Sequence, residues 1–165
     1  MTRSFAACVV VMLLAFAPVL PAAAADDGAK LVGAWRLISW ETRLADGTTR
    51  RNRMTTGSLI YSDSGRMCAM LMDPGRAKWT GSPDDAQVRA AWDGVVAYCG
   101  PYDVHAAEGF VLHHVEFEKT PSIVGTIRKR WFTIDDAGRL TLRIDPAENG
   151  PNVVESRLVW ERVAR

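Results

Sequence analysis

The stretch GSLIYSDSGRMCAMLM, residues 57–72, decides the fold. Its two short runs, 57–62 and 66–72, flank Asp63-Ser64-Gly65, a turn triplet that joins antiparallel strands. The same grammar repeats outward from this hairpin. Upstream, 31–43 (LVGAWRLISWETR) is strand-like and leads to the turn Ala45-Asp46-Gly47. Downstream, 98–105, 109–118, 125–135, 139–144 and 153–162 are further strands, separated by breaks such as Thr120-Pro121 and Asp136-Ala137-Gly138. Residues 83–97 (PDDAQVRAAWDGVVA) differ, because Pro-Asp-Asp opens a helix with acids in its first turn. Val88, Ala91, Trp92, Val95 and Val96 then recur at helical spacing. The expectation is an all-β chain of eight strands, with one short helix between the third and fourth. Such strands make a sandwich or a barrel, and eight close a barrel that is either filled or holds one small ligand.

Composition narrows the function classes. The 165 residues carry 20 Lys plus Arg against 19 Asp plus Glu, with 48% hydrophobic and 24% charged residues. These are the values of one globular domain. No basic excess exists to neutralise phosphates, so no nucleic-acid partner is expected. Residues 1–25 read as a cleaved signal peptide: Arg3, an apolar run over 5–20, then Ala23 and Ala25 before a cut ahead of Asp26. Pro18 and Pro21 break that run, which is short for a spanning helix. Most of the apolar run follows Cys8, the wrong order for a lipid-anchored cysteine. The expected domain is 26–165, periplasmic or secreted, with no membrane span after cleavage. It keeps two cysteines, Cys68 and Cys99, and an even count in an exported chain allows one disulfide.

Alternation along strands separates inside from outside. Val111, His113, Val115 and Phe117 share one face, with His114 on the other. Tyr98, Tyr102 and Val104 share a face opposite Cys99, Asp103 and His105. Leu140, Leu142 and Ile144 look inward, as do Leu158 and Trp160. Inward His113, Tyr98 and Tyr102 therefore meet either as the polar patch of an apolar pocket or as a satisfied group that fills the core. In Arg128-Lys129-Arg130 at least one cation must point inward and find a carboxylate or an anionic ligand, unless the run lies at a wet rim. Glu41, on the face of Trp35 and Leu37, is one possible partner. If the strands carrying Cys68 and Cys99 pair across the helix, the thiols meet; otherwise they are two small buried residues.

Familiar catalytic signatures are missing. The chain has no phosphate loop, nucleophile elbow or dinucleotide fingerprint. His113 and His114 diverge on a strand and cannot grip one metal ion together. No cofactor and no metal are expected.

A set of blocks then gives a family resemblance. Leu31-Val32-Gly33-Ala34-Trp35-Arg36-Leu37 carries the Gly-x-Trp of lipocalins. Gly57-Ser58-Leu59-Ile60-Tyr61 with Gly65-Arg66-Met67, Tyr98-Cys99-Gly100-Pro101-Tyr102, His113-His114-Val115, Pro121 with Gly125 and Arg130, Leu140-Thr141-Leu142 and Leu158-Val159-Trp160-Glu161-Arg162 follow in order. Over about 31–162 the chain resembles the bacterial and fungal lipocalin-like domain family. The departures are Pro101 and the two cysteines, where that family more often has serine. The resemblance implies an up-and-down antiparallel β-barrel with an internal cavity. Some fungal relatives in polyketide or terpenoid pathways add an expectation of cyclase or isomerase chemistry, but no catalytic motif transfers.

The leading expectation is a barrel that binds a small hydrophobic or amphipathic molecule, with any anionic group near Arg130. Trp35, Tyr61, Tyr98, Tyr102, His113, Arg130 and Trp160 are the candidate ligand-binding residues. An isomerase or cyclase in the same cavity would use His113 with Tyr98 or Tyr102 to move a proton. A filled-core interaction protein would instead rely on outward Trp40 and Leu112. An empty cavity separates the first two from the third.

Overall fold

Burial follows the alternation of the sequence along β4 (Arg66–Met72): Met67, Ala69 and Leu71 are buried, while Arg66, Cys68 and Met70 are exposed. The computed structural model describes residues 28–164, and the expected signal peptide over 1–25 lies outside the described residues. The remaining strands are β1 (Gly33–Leu44), β2 (Thr49–Arg51), β3 (Thr56–Tyr61), β5 (Val95–His105), β6 (Phe110–His114), β7 (Phe117–Glu118), β8 (Ile127–Ile134), β9 (Leu140–Ile144) and β10 (Val153–Arg162). One helix, α1 (Asp85–Asp93), lies between β4 and β5.

Each long strand pairs antiparallel with the next, and β10 returns to pair with β1, from Trp35 opposite Arg162 to Leu44 opposite Val153. That last pairing makes a barrel rather than a sandwich. The wall has eight strands because two of them are broken. Both β2 and β3 line the same edge of β1, with β2 against Glu41–Arg43 and β3 against Gly33–Arg36. Likewise β6 and β7 pair in succession along β5. Counting the short β2 places α1 between the fourth and fifth strands rather than the third and fourth.

Three local devices correct the face assignments. In β1, Leu37 faces Trp160 and Ser39 faces Val159, so Ile38 is a bulge. One extra residue reverses the parity of everything after it. Trp40, expected outside, therefore packs against the core, and Glu41, expected inside, pairs with Arg157 at 3.0 Å on the outside. The second device lies between β6 and β7, where Glu116 N donates to Cys99 O (2.9 Å) and Val115 N to Thr126 O (2.9 Å). This break sends Phe117 outward, 63% exposed, instead of onto the face of His113. The third is the end of α1. A capping box from Asp84 and Gln87 starts the helix, and Gly94 ends it. Val95 and Val96, expected on the helix, pair with Met72 and Leu71 as β5, a place that suits β-branched residues. The helix buries none of its residues, and Val88 and Trp92 are exposed.

Gly100 makes the second device possible. A Cβ at this position would overlap the His114 carbonyl oxygen, which is backbone and cannot swing away. Gly100→Ala is therefore expected to cost more than about 2 kcal/mol, at the upper end of overpacking effects. Urea unfolding checks this, and a loss below about 0.5 kcal/mol would contradict the close approach.

Candidate functional site

The barrel is filled at one end and open at the other. At the closed end Trp35, Leu59, Tyr61, Leu140 and Trp160 are almost completely buried. Trp35 Nε1 donates to the Leu31 carbonyl at 2.9 Å, and the Arg162 guanidinium covers its ring at 4.2 Å. Arg162 also donates to the carbonyls of Val32 (2.7 Å) and Lys30. At the other end a cavity of about 460 Å³ opens between the β4–β5 connection, the 119–123 segment and the 144–148 turn. Its walls include Trp40, Met54, Leu71, Val96, Ile144 and Leu158; its polar side chains include Tyr98, Arg128, Arg130 and Glu148. Asp93, Glu118, Lys119 and Thr120 line it too, so the cavity joins apolar walls to nearly as many polar and charged residues.

The seven expected site residues divide between the two halves. Tyr98 and Arg130 line the cavity. Trp35, Tyr61 and Trp160 belong to the closed core, as does His113, which is 0% exposed. Tyr102 donates to the Ser62 carbonyl at 2.8 Å and stacks edge-on against Tyr61, away from the cavity. Cys68 and Cys99 stand directly opposite on β4 and β5, with Cα atoms 4.1 Å apart, and form a disulfide on the outer face.

His113 joins the halves. Tyr61 Oη lies 2.7 Å from its Nε2, and Tyr98 Oη lies 3.0 Å from its Nδ1. A neutral imidazole has one donor and one acceptor nitrogen, so one tyrosine donates to it and the other accepts from it. Burial, then the charges of Arg130, Arg128 and His114, hold its pKa well below the ordinary histidine value. Burial, with Tyr98 adding to it, pushes the Tyr61 hydroxyl well above the ordinary tyrosine value. Tyr61 and His113 are thus uncharged where they meet in the core.

Two charged residues now join the candidates. Arg128 shares the inward face with Arg130, since positions two apart on a strand face the same side. Lys129 points outward, over the rings of Phe110 (4.2 Å) and Trp131 (4.0 Å). The carboxylate that meets Arg130 is Glu148, not Glu41: Arg130 Nη1 donates to Glu148 Oε1 at 2.8 Å, and Arg128 Nη1 is 3.8 Å from Glu148 Oε2. Burial opposes the Arg130 charge, but Tyr98 and Glu148 outweigh it and hold the guanidinium above its usual pKa. Glu148 sits on a 3-10 turn (Pro146–Glu148) whose start is tied by Asp145 accepting from Ala147 N (3.0 Å). The signal that could have found Glu148 was the need for a carboxylate near an inward cation, but it lies in a loop where alternation says nothing. Among the described residues no cluster of His, Cys, Asp and Glu could hold a metal ion.

His113 gives a pH prediction. Its folded pKa lies below the unfolded value of about 6.5, so the unfolded chain binds more protons below that pH. The stability it contributes is complete above about pH 6.5 and is lost as pH falls toward the folded pKa. Urea unfolding from pH 7.5 to 5 should show a steeper loss in the natural protein than in His113→Gln. Parallel losses would contradict a buried neutral imidazole.

Residues 32–163 match the family model described as a lipocalin-like domain. No curated protein matches the chain.

Proposed function

Because the chain belongs to the lipocalin-like domain family, we propose that it binds a small, mostly apolar molecule in the open half of its barrel, with any anionic group placed beside Arg130. The observation that carries this reading is the division of the barrel itself. One half is packed with aromatic side chains, and the other leaves about 460 Å³ between apolar walls and a set of charged residues. At ~30 Å³ per water-sized group, that volume takes about fifteen non-hydrogen atoms. A filled-core interaction protein would not keep this space, and Trp40, which that reading needed outside, lines the cavity instead.

A second reading, an isomerase or cyclase in the same cavity, has one observation in its favour. Tyr98 lines the cavity with its hydroxyl bonded to the neutral His113, so it could give a proton to one atom of a bound molecule and recover one from another, which restores the tyrosine. The same contacts also make a satisfied polar core, and for that reason the binding reading comes first.

We place the protein in the periplasm or outside the cell. The signal-like residues 1–25 support this, and so does the Cys68–Cys99 disulfide, a bond that persists in oxidising compartments. Mass spectrometry of chain recovered outside the cytoplasm should find an N-terminus at Asp26, and uncleaved chain would contradict export.

The binding test uses a neutral apolar dye, N-phenyl-1-naphthylamine. Its fluorescence should rise and saturate with the natural protein. Val96→Trp, checked by circular dichroism for an intact barrel, should weaken the dye by about tenfold or more, because the new indole occupies the cavity. No saturable binding, or equal binding by a folded Val96→Trp, would overturn the cavity reading.

A further inference from the structure

Arg130 is 5% exposed and makes both of its hydrogen bonds through Nη1, to the Lys129 carbonyl (2.7 Å) and to Glu148 (2.8 Å). Among the described residues nothing accepts from its Nε or Nη2. Arg130 lines the cavity, so a ligand held there is within reach of the guanidinium. A buried arginine rarely leaves such donors unused, because each unmet donor in an apolar site costs free energy. The Nε–Nη2 edge offers two parallel N–H groups, the geometry that matches a planar carboxylate.

Charge makes the match more specific. Arg128 and Arg130 face one carboxylate, Glu148, so one positive charge is left over inside the mouth. The rim does not cancel it. Lys119, whose Nζ sits on the Trp92 carbonyl, offsets Glu118, and Asp93 is held by Arg89 at 2.9 Å. Arg128 adds a buried Nε without a partner.

We propose that the cavity selects a monocarboxylate with an apolar body, held by the Nε–Nη2 edge of Arg130, and that Glu148 sets the site to match one negative charge rather than two. This rests on the cavity-binding reading above. A neutral ligand leaves the extra charge unmatched, and a dianion leaves a negative charge unmatched in a site of low dielectric. A peptide C-terminus has the same head group but brings amides that the apolar walls would leave unpaired. Glu148 is the specificity-determining residue because it is the carboxylate that both arginines face.

Three ligands of equal chain length test this at pH 8.5 by displacement of N-phenyl-1-naphthylamine: decanol (neutral), decanoate (monoanion) and decyl phosphate (dianion). The natural protein should bind decanoate at least about tenfold tighter than either of the others, the scale of a charge-assisted hydrogen bond. Arg130→Met should bring decanoate down to the level of decanol. Glu148→Gln keeps an oxygen acceptor for Lys129 N and removes the charge, so decyl phosphate should gain about tenfold relative to decanoate. Equal binding of decanol and decanoate by the natural protein overturns the proposal and leaves the cavity reading standing. Displacement of the dye by none of the three also overturns the proposal, whereas the cavity reading falls only if the dye itself fails to bind saturably. An unchanged phosphate-to-carboxylate ratio in Glu148→Gln overturns the role of Glu148. If Arg130→Met fails to fold, the three-ligand comparison on the natural protein still decides.

Discussion

The pairing of β1 with β10 closes the barrel, and the interior depends on it. An open sheet would present two edges of unpaired N–H and C=O groups and two faces to cover. Closure removes both edges and creates one enclosed face. The closing seam is fastened at its end by side chains from both strands, with Arg162 of β10 lying over Trp35 of β1 and bonded to the carbonyls of Val32 and Lys30. Gly33 suits this corner for two reasons: its φ is 138°, and a Cβ there would press on the Arg162 guanidinium. The seam therefore places a large ring at the closed end and leaves the opposite end to its loops.

Once closed, the eight-stranded wall sets a fixed interior, and the side chains decide how much of it is filled. Two tryptophans and Tyr61 occupy the closed end. Tyr61 and Tyr98 satisfy both nitrogens of His113, so a polar group sits deep in the core without carrying charge. Beyond it the interior side chains no longer meet across the barrel. The inward charges gather in this open half, where Arg130 meets a carboxylate delivered by a turn rather than by a strand. The apolar volume and the electrostatic asymmetry thus belong to one place. That coincidence is the basis for reading the cavity as a binding site.

Much of this was legible in the chain. Turn triplets such as Asp63-Ser64-Gly65 mark strand ends because few residues accept the backbone angles of tight turns, and Gly65 does have a positive φ of 76°. Alternation placed His113 and Tyr98 inside, since period two is a property of the strand itself, but it left open which of Arg128, Lys129 and Arg130 faces inward. It failed for Trp40, Glu41 and Phe117, where a bulge or a break inserts one residue and reverses the parity. Such devices depend on what the neighbouring strand does, as Gly100 shows by making room for the His114 carbonyl. Val95 and Val96 were misread for a related reason, because their helical spacing was local and their strand partners lay on β4.

The amino-acid sequence by itself determined the class of fold, the number of long strands and the family, because these rest on local propensity, turn chemistry and ordered motifs. Only the tertiary structure decided which half of the barrel is empty, that Arg128 joins Arg130 inside, and that Glu148 is the carboxylate they face. Those facts follow from strand register, from bulges and from a turn brought back over the mouth. Each is a relation between residues far apart in the chain, and no local pattern encodes it.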